Sequence, residues 1–467
     1  MIIFLLAVAM LIAGYFIYGK IVENVFSANE KSVTPAIEKC DNVDYMVLPT
    51  WRIFLIQFLN IAGLGPVFGA SLGALYGPVA LLWIVFGSIF AGGVHDYMAG
   101  MISVRHGGSS LVPLIEKYLG SKIKNLFLIF MIFFLLLLGA VFAESPAQML
   151  ANLSHTDFVW WLIAIFGYYF LATLLPIDKI IGRFYPLFAV LLIGVSIALI
   201  AVLFASNTEF YPNLTLANLH PQHLPIFPLL FVTIACGAIS GFHATQSPLM
   251  ARCLANEKYG RPIFYGAMIT EGIVALIWAT LGMAFYQDGE ALNQVVLQSG
   301  PGGVVSDVAN GYLGSVGGIF AVLSVVLLSI TSGDTAFRSA RLTVGDYWQK
   351  DNQSLKKRLF ISIIVLSGGI CLSFFDLTTI WLYFGWANQL LASVTLWMAT
   401  FYLYKERRFY FITLLPAGFM TAICTSYILQ DKIGFHLPVN ISDVIGMVLG
   451  VLLVSIFIWK HRISRQK

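Results

Sequence analysis

Apolar residues in this chain come in long runs separated by short polar connections. Thirteen runs hold the roughly 17–25 residues that cross a hydrocarbon core as helix. The pattern predicts spans at 2–19, 52–76, 78–104, 124–150, 157–176, 184–205, 226–250, 262–287, 311–336, 357–375, 377–404, 408–430 and 441–459. Basic residues follow a second rhythm laid over the first. They sit in 20–52, 105–124, 179–183, 252–261, 338–358, 405–408 and 460–467, every second connection, which takes in 26 of the 27 Lys and Arg residues and leaves Lys432 opposite. Cytoplasmic connections retain Lys and Arg, so the amino terminus is expected outside and the carboxyl terminus inside an all-α, multi-pass membrane protein.

Composition sharpens this reading in two ways. Charged residues are 11% of the chain and apolar ones 59%, against roughly 25% charged in soluble domains. The net charge of +4 is spread over short loops, so it reads as a topology signal and not as a nucleic-acid patch. The five cysteines (Cys40, Cys236, Cys253, Cys371, Cys424) form no C-x-x-C and read mostly as small buried side chains. Residues 2–18 lack a preceding basic residue and a small-x-small cleavage site, so the first run is expected to stay as a span. The longest connections, 20–51 and 337–356 on the basic side and 206–225 and 288–310 on the other, are too short for an appended soluble domain.

Two spans are punctuated differently from the rest. The second contains Ile61-Ala-Gly-Leu-Gly-Pro-Val-Phe-Gly69 and the seventh Cys236-Gly-Ala-Ile-Ser-Gly-Phe-His-Ala-Thr-Gln-Ser-Pro248. Gly and Pro at this density interrupt helical hydrogen bonding, and backbone freed at that depth is tolerated only where protein or a water-lined cavity receives it. The breaks are five spans apart, so the two segments cross in opposite directions. An inverted five-plus-five repeat requires this, and paired discontinuous helices mark the solute site of secondary transporters. The expected organisation is an extra span with its loop (1–50), a first repeat (51–205), a second (206–404), and two last spans with a basic tail (405–467).

Candidate solute-binding positions are therefore Gly63, Gly65, Pro66 and Gly69 in the first break, and Gly237, Ser240, Gly241, His243, Gln246 and Ser247 in the second. The glycines alone would also suit close helix packing, but Pro66 removes a donor from the middle of its cluster. His243, ionisable within a span, can pair with an anionic solute or carry a proton; the alternative is a neutral imidazole bonded to a freed carbonyl. Glu271, near the middle of its span, is the candidate proton carrier, because a carboxyl in hydrocarbon can be neutral in one state and charged in another. Thr331, Ser332 and Asp334 offer hard oxygens to a small cation, or else cap their own helix. Asp334 can also pair with Arg338 and Arg341 as an inner gate. His95 and Asp96, close to Arg105 and His106 in sequence, read as a polar cluster at the same gate or as interfacial anchors, and Glu144 as a residue of an outer vestibule or as a structural or solvated side chain.

Other chemistries find no support. His220-Pro-Gln-His223 has no third metal ligand nearby, and Walker, G-x-S-x-G and H-E-x-x-H patterns are missing. No nucleophile, base and orienter can be assembled from the loops, so neither an enzyme nor a cofactor is expected. The energy source is expected to be an ion gradient.

Five ordered motifs carry a family resemblance: Asp41-Asn-Val-Asp-Tyr45, Ile61–Gly69, Phe90-Ala-Gly-Gly-Val-His-Asp96, Cys236–His243 and Thr331-Ser-Gly-Asp-Thr-Ala-Phe-Arg338. Together they resemble the carbon starvation protein A (CstA) family, from the amino terminus through at least the eleventh span. The resemblance implies membership of the amino acid–polyamine–organocation superfamily, with its LeuT-type fold of five plus five helices. It also implies a bacterial inner-membrane transporter used in carbon starvation, of peptides or, in some members, of pyruvate by proton symport. Carried onto this sequence, the LeuT-type pattern puts solute at Gly63–Gly69 and Gly237–Ser247 and a cation near Thr331 and Ser332. The chain is shorter than the larger family members. A membrane sensor that binds the same nutrient without moving it is the competing class, and it would have to signal without a cytoplasmic domain.

Overall fold

The computed structural model describes residues 2–174, 181–206, 215–286, 288–347, 355–375 and 377–463. The end of the fifth expected span with part of the connection after it (175–180), part of the exterior connection (207–214), the middle of the 337–356 connection (348–354) and the end of the basic tail (464–467) lie outside these residues.

Among the described residues the architecture is helical. The helices are α1 (Ile2–Phe26), α2 (Thr50–Ala62), α3 (Gly65–Tyr76), α4 (Val79–Arg105), α5 (Leu111–Leu119), α6 (Ser121–Ser154), α7 (Phe158–Leu174), α8 (Ile181–Ala205), α9 (Gly241–Ala251), α10 (Glu257–Tyr286), α11 (Gly289–Tyr347), α12 (Leu355–Leu372), α13 (Leu377–Lys405), α14 (Phe411–Gln430) and α15 (Val439–Ile463). Among the described residues, eight helices are long and apolar enough to cross a membrane, or nine if the bent pair α2 and α3 is one span. The pattern predicts thirteen spans, and part of the difference has physical causes. The seventh expected span is split between a short segment at 226–233 and α9. Helix α7 is described only as far as Leu174, inside the fifth expected span, and α13 carries Asn388, Gln389 and several Thr among its apolar residues.

Both expected breaks are present, and they are narrower than the sequence suggests. Helix α2 ends at Ala62, Gly63 takes φ 47° and ψ −151°, and the axis turns by 55° into α3. A side chain at that φ would be strained, which is the reason for glycine there. In the second break, helix stops after Thr233 and resumes at Gly241, so Gln246, Ser247 and Pro248 lie within α9 and not in the break. The connection 288–310, expected as an exterior loop, is helical. Helix α11 starts at Gly289 and is interrupted where Gly300 and Gly314 take φ 65° and 67°; Pro301, following the first interruption, suits a new first turn.

Packing places the breaks at the centre. Helix α10 is the most enclosed of the candidate spans, with 83% of its apolar window buried, against 28% in α1 and 22% in α15, whose outer faces carry exposed Leu6, Phe16, Val451 and Trp459. Gly65 lies so close to Cys236, and Gly69 to the Thr233 carbonyl, that neither has room for a Cβ; the two breaks touch. Gly87 and Gly92 bring α4 equally close to Ala238, the close approach small residues allow between membrane helices. Exposed Cys40, in the basic 20–51 connection, reports orientation. With Cys371→Ser as background, a membrane-impermeant maleimide should label Cys40 in inside-out but not right-side-out vesicles; the reverse result inverts the topology.

Candidate functional site

The centre of the molecule holds a line of four ionisable side chains with no solvent exposure. His95 and Asp96 come from α4, His243 from α9 and Glu271 from α10, each 0% exposed. Asp96 stands between two imidazoles: His95 Nδ1 is 2.8 Å from its Oδ1 and His243 Nδ1 2.9 Å from its Oδ2. On its other edge, His243 Nε2 faces Glu271 Oε2 at 3.5 Å, within ion-pair range. With Asp96 ionised, each ring donates from Nδ1 and leaves Nε2 to accept. The Nε2 atoms of both rings and the two oxygens of Glu271 have no hydrogen-bond partner among the described residues.

Local structure explains how the line forms. Within α4, one widened turn at Ser88–Gly92 precedes His95 and Asp96, an arrangement that recurs at functional sites because it re-aims the residues after it. Helix α9 packs on α4, and His243 falls in its first turn, straight after the break.

His95 and Asp96 therefore do not form the inner-gate cluster expected of them. Arg105 donates instead to Glu257, the Tyr402 hydroxyl and the Ser27 carbonyl, and His106 meets the Ile102 carbonyl and Tyr118. Adjacency in sequence is misleading here, since on a helix a separation of about nine residues is more than two turns.

The second break is held largely by protein. Trp83 Nε1 donates to the Ile234 carbonyl at 3.1 Å, and Ser88 Oγ to the Gly237 carbonyl at 3.1 Å. Asn388 Oδ1 on α13 accepts from the Ser240 hydroxyl at 3.0 Å and from the Phe242 amide at 2.8 Å. Gln246 donates to Thr245 and Ser339, and Ser247 accepts from Gln57. Gly237, Ser240, Gly241, Gln246 and Ser247 are thus brought to the site, though several are already engaged. At the first break, Gly65 meets Cys236, Gly69 the Thr233 carbonyl and Pro66 lies near Gly237, while Gly63 lies against Phe142 and Ser332. The unexpected participant there is Asn60, wholly buried in the last turn of α2, whose amide nitrogen and oxygen have no partner among the described residues.

The expected cation residues separate into two groups. Ser332 Oγ reaches the carbonyls of Leu59 at 3.4 Å and Asn60 at 3.3 Å, across from α11 to α2. Thr331 turns its hydroxyl to the Leu328 carbonyl of its own helix, the local capping alternative. Asp334 accepts from the Tyr185 hydroxyl at 2.5 Å, a partner on α8 that no motif announced. Arg338 and Arg341 do not pair with Asp334 at ion-pair distance; they lie 3.6 and 3.7 Å from Asp44. Glu144 is 5% exposed within α6, so it is neither solvated nor part of an open vestibule. No three His, Cys, Asp or Glu side chains converge to hold a metal among the described residues. Of these residues, Ser332 is the one that brings its hydroxyl to carbonyls of α2, those of Leu59 and Asn60.

Comparison with known proteins extends this picture. The family model described as "Carbon starvation protein CstA" matches residues 1–158, 144–293 and 290–427. An uncharacterised membrane protein of Haemophilus influenzae is 47% identical over 63% of this chain and 93% of its own length. The Escherichia coli protein named peptide transporter CstA is 26% identical over 90% of this chain and 79% of its own. The Escherichia coli protein named pyruvate/proton symporter BtsT is 28% identical over 55% of this chain and 45% of its own. Among solved structures, a mutant form of the manganese transporter of Eremococcus coleocola shares the overall fold with a TM-score of 0.55 at 12% identity, covering 90% of this chain and 97% of that one.

Asn388 gives the site a direct test. Asn388→Leu leaves the Ser240 hydroxyl and Phe242 amide without their acceptor, at about 1–3 kcal/mol for a buried group left unpaired. Thermal unfolding of the purified protein should show a lower midpoint. An unchanged midpoint would mean that Asn388 does not hold the second break.

Proposed function

The chain belongs to the carbon starvation protein CstA family, and from that premise we propose that it is a secondary active importer of peptides, coupled to protons. In this reading thirteen spans cross a bacterial inner membrane with the amino terminus outside. Two inverted five-helix repeats, 51–205 and 206–404, rock against each other around the touching breaks. The multi-pass membrane character and the transporter family are the firm base; the relatives that carry a functional name are named as transporters.

One observation carries the coupling: the buried line His95, Asp96, His243, Glu271 beside the second break. A proton on Glu271 or on His243 Nε2 alters the buried charge by one unit. In hydrocarbon such a change is expensive enough to bias which of two packings is preferred. The coupling ion thus acts where α4, α9 and α10 meet, close to the backbone that would hold solute. Asn60, with Gly63 and Gly65 beside it, supplies polar groups for a solute's carboxylate or amide. A second reading, pyruvate or another small carboxylate taken up with protons, is favoured by the similarity to the protein named BtsT. A non-transporting nutrient sensor remains the reading from another class.

The deciding experiment is uptake of labelled di- and tripeptides and of pyruvate into tight proteoliposomes under imposed proton or sodium gradients. Peptide accumulation driven by protons is expected. Accumulation of pyruvate alone selects the second reading, and none of either selects the sensor. Glu271→Gln should abolish proton-driven accumulation and spare exchange, while His243→Ala should raise the half-saturating concentration about tenfold, the size of one lost charge-assisted hydrogen bond. Uptake unchanged in both removes the line from the mechanism.

Sodium is the competing coupling ion, and Ser332 opposite Leu59 and Asn60 is its candidate place. Thr331→Ala combined with Ser332→Ala should therefore leave proton-driven uptake standing. A loss of ion dependence in that double variant, with Glu271→Gln silent, would move the coupling site to α11.

A further inference from the structure

The motif Asp41-Asn-Val-Asp-Tyr45 takes no part in the proposed transport path, yet it is built with care. The Asp41 carboxylate accepts the backbone amides of Val43, Asp44 and Tyr45 at 2.8, 3.0 and 2.8 Å. Met46 and Leu48 then donate to the carbonyls of Arg252 and Cys253, just past α9. This clamp turns Asp44 inward, where it is 5% exposed.

Around Asp44 stand Arg252, Arg338, Arg341 and Arg358, between 0 and 7% exposed. Although burial pushes the Asp44 carboxyl up, the four guanidinium groups hold it below its usual range. Some of these arginines have evident anchors: Arg252 donates to the Gly108 carbonyl at 2.8 Å and Arg338 to the Ala172 carbonyl at 2.7 Å. Arg341 differs. It is wholly buried, and its Nε, Nη1 and Nη2 all lack a hydrogen-bond partner among the described residues. Its nearest carboxylate oxygen, Oδ1 of Asp44, is 3.7 Å away and is shared with Arg338 at 3.6 Å. Both separations exceed hydrogen-bond length. Asp334, a second carboxylate near these arginines among the described residues, is committed to Tyr185.

A buried guanidinium fork with unfilled donors, as Arg341 has, matches the two oxygens of a carboxylate or the oxygens of a phosphate. We propose that Arg341, with Arg252, Arg338 and Arg358, forms an oxyanion-binding site on the basic face, and that Asp44 occupies it as a resident stand-in which an incoming oxyanion displaces. The oxyanion is either the carboxylate of a small organic acid or inorganic phosphate. The site is independent of which solute the protein carries and of how transport is coupled.

The test is thermal unfolding of the purified full-length protein, titrated with sodium acetate and with sodium phosphate against sodium chloride at matched ionic strength. A saturable rise in midpoint with one of the oxyanions is expected, and whichever is effective names the source. Arg341→Gln should raise the half-saturating concentration about tenfold. Asp44→Asn, which removes the competitor, should lower it. Where Arg341→Gln does not fold, Arg341→Lys keeps the charge, loses the fork and should still bind more weakly. No stabilisation beyond chloride in the parent protein, or equal stabilisation in the Arg341 variants, overturns the proposal.

Discussion

The side chains at the middle of this molecule have no solvent exposure, so the polar groups there depend on other parts of the chain for partners. That constraint governs the arrangement around Asp96. A carboxylate with no exposure is held by two imidazoles, one from its own helix and one from α9. The second imidazole in turn faces Glu271 on α10. Three helices are thereby tied to each other through groups that would be costly to separate, since opening the contact strands a buried charge. The same contact is adjustable, because one proton changes its charge.

The breaks in the helices serve this centre. Interrupting α2 at Gly63 and the seventh apolar run at 234–240 allows backbones to meet where intact helices would be held apart by their side chains. The price is a set of freed backbone groups: in the second break Trp83 and Ser88 of α4 donate to the carbonyls of Ile234 and Gly237, and Asn388 of α13 accepts from the Phe242 amide. The first break is less completely answered. Asn60 keeps both ends of its amide without partners among the described residues, and Ser332 reaches the last carbonyls of α2 only at 3.3–3.4 Å. The two breaks thus differ in character: one is braced by its neighbours, the other keeps polar capacity in reserve.

Charge is distributed on two levels. In the connections, the sequence pattern leads one to expect Lys and Arg on one face. Beneath that face, Arg338 and Arg341 are drawn inside by Asp44, which the turn at Asp41 holds in place. A linear reading pairs Arg338 and Arg341 with Asp334 because the three share one helix. The fold pairs them with a residue far earlier in the chain, and gives Asp334 to Tyr185. Glu144 is likewise misplaced by its position near a span end, because depth within a helical bundle depends on neighbours that a single run of residues does not name.

By itself the sequence determined that the protein is helical and multi-pass, that the second and seventh apolar runs break, and that His243 and Glu271 are ionisable groups lying at depth. These follow from local rules: apolar length, glycine and proline within a run, and the expense of a charge in hydrocarbon. Only the tertiary structure decided that His95 and Asp96 complete a line with them, that Asn388, Gln57, Asn60 and Tyr185 belong to the centre, and that the arginines of α11 answer to Asp44. Each of these depends on which helix faces which and at what depth. That is set by close packing between segments far apart in the chain, for which no local pattern of residues is a sufficient signal.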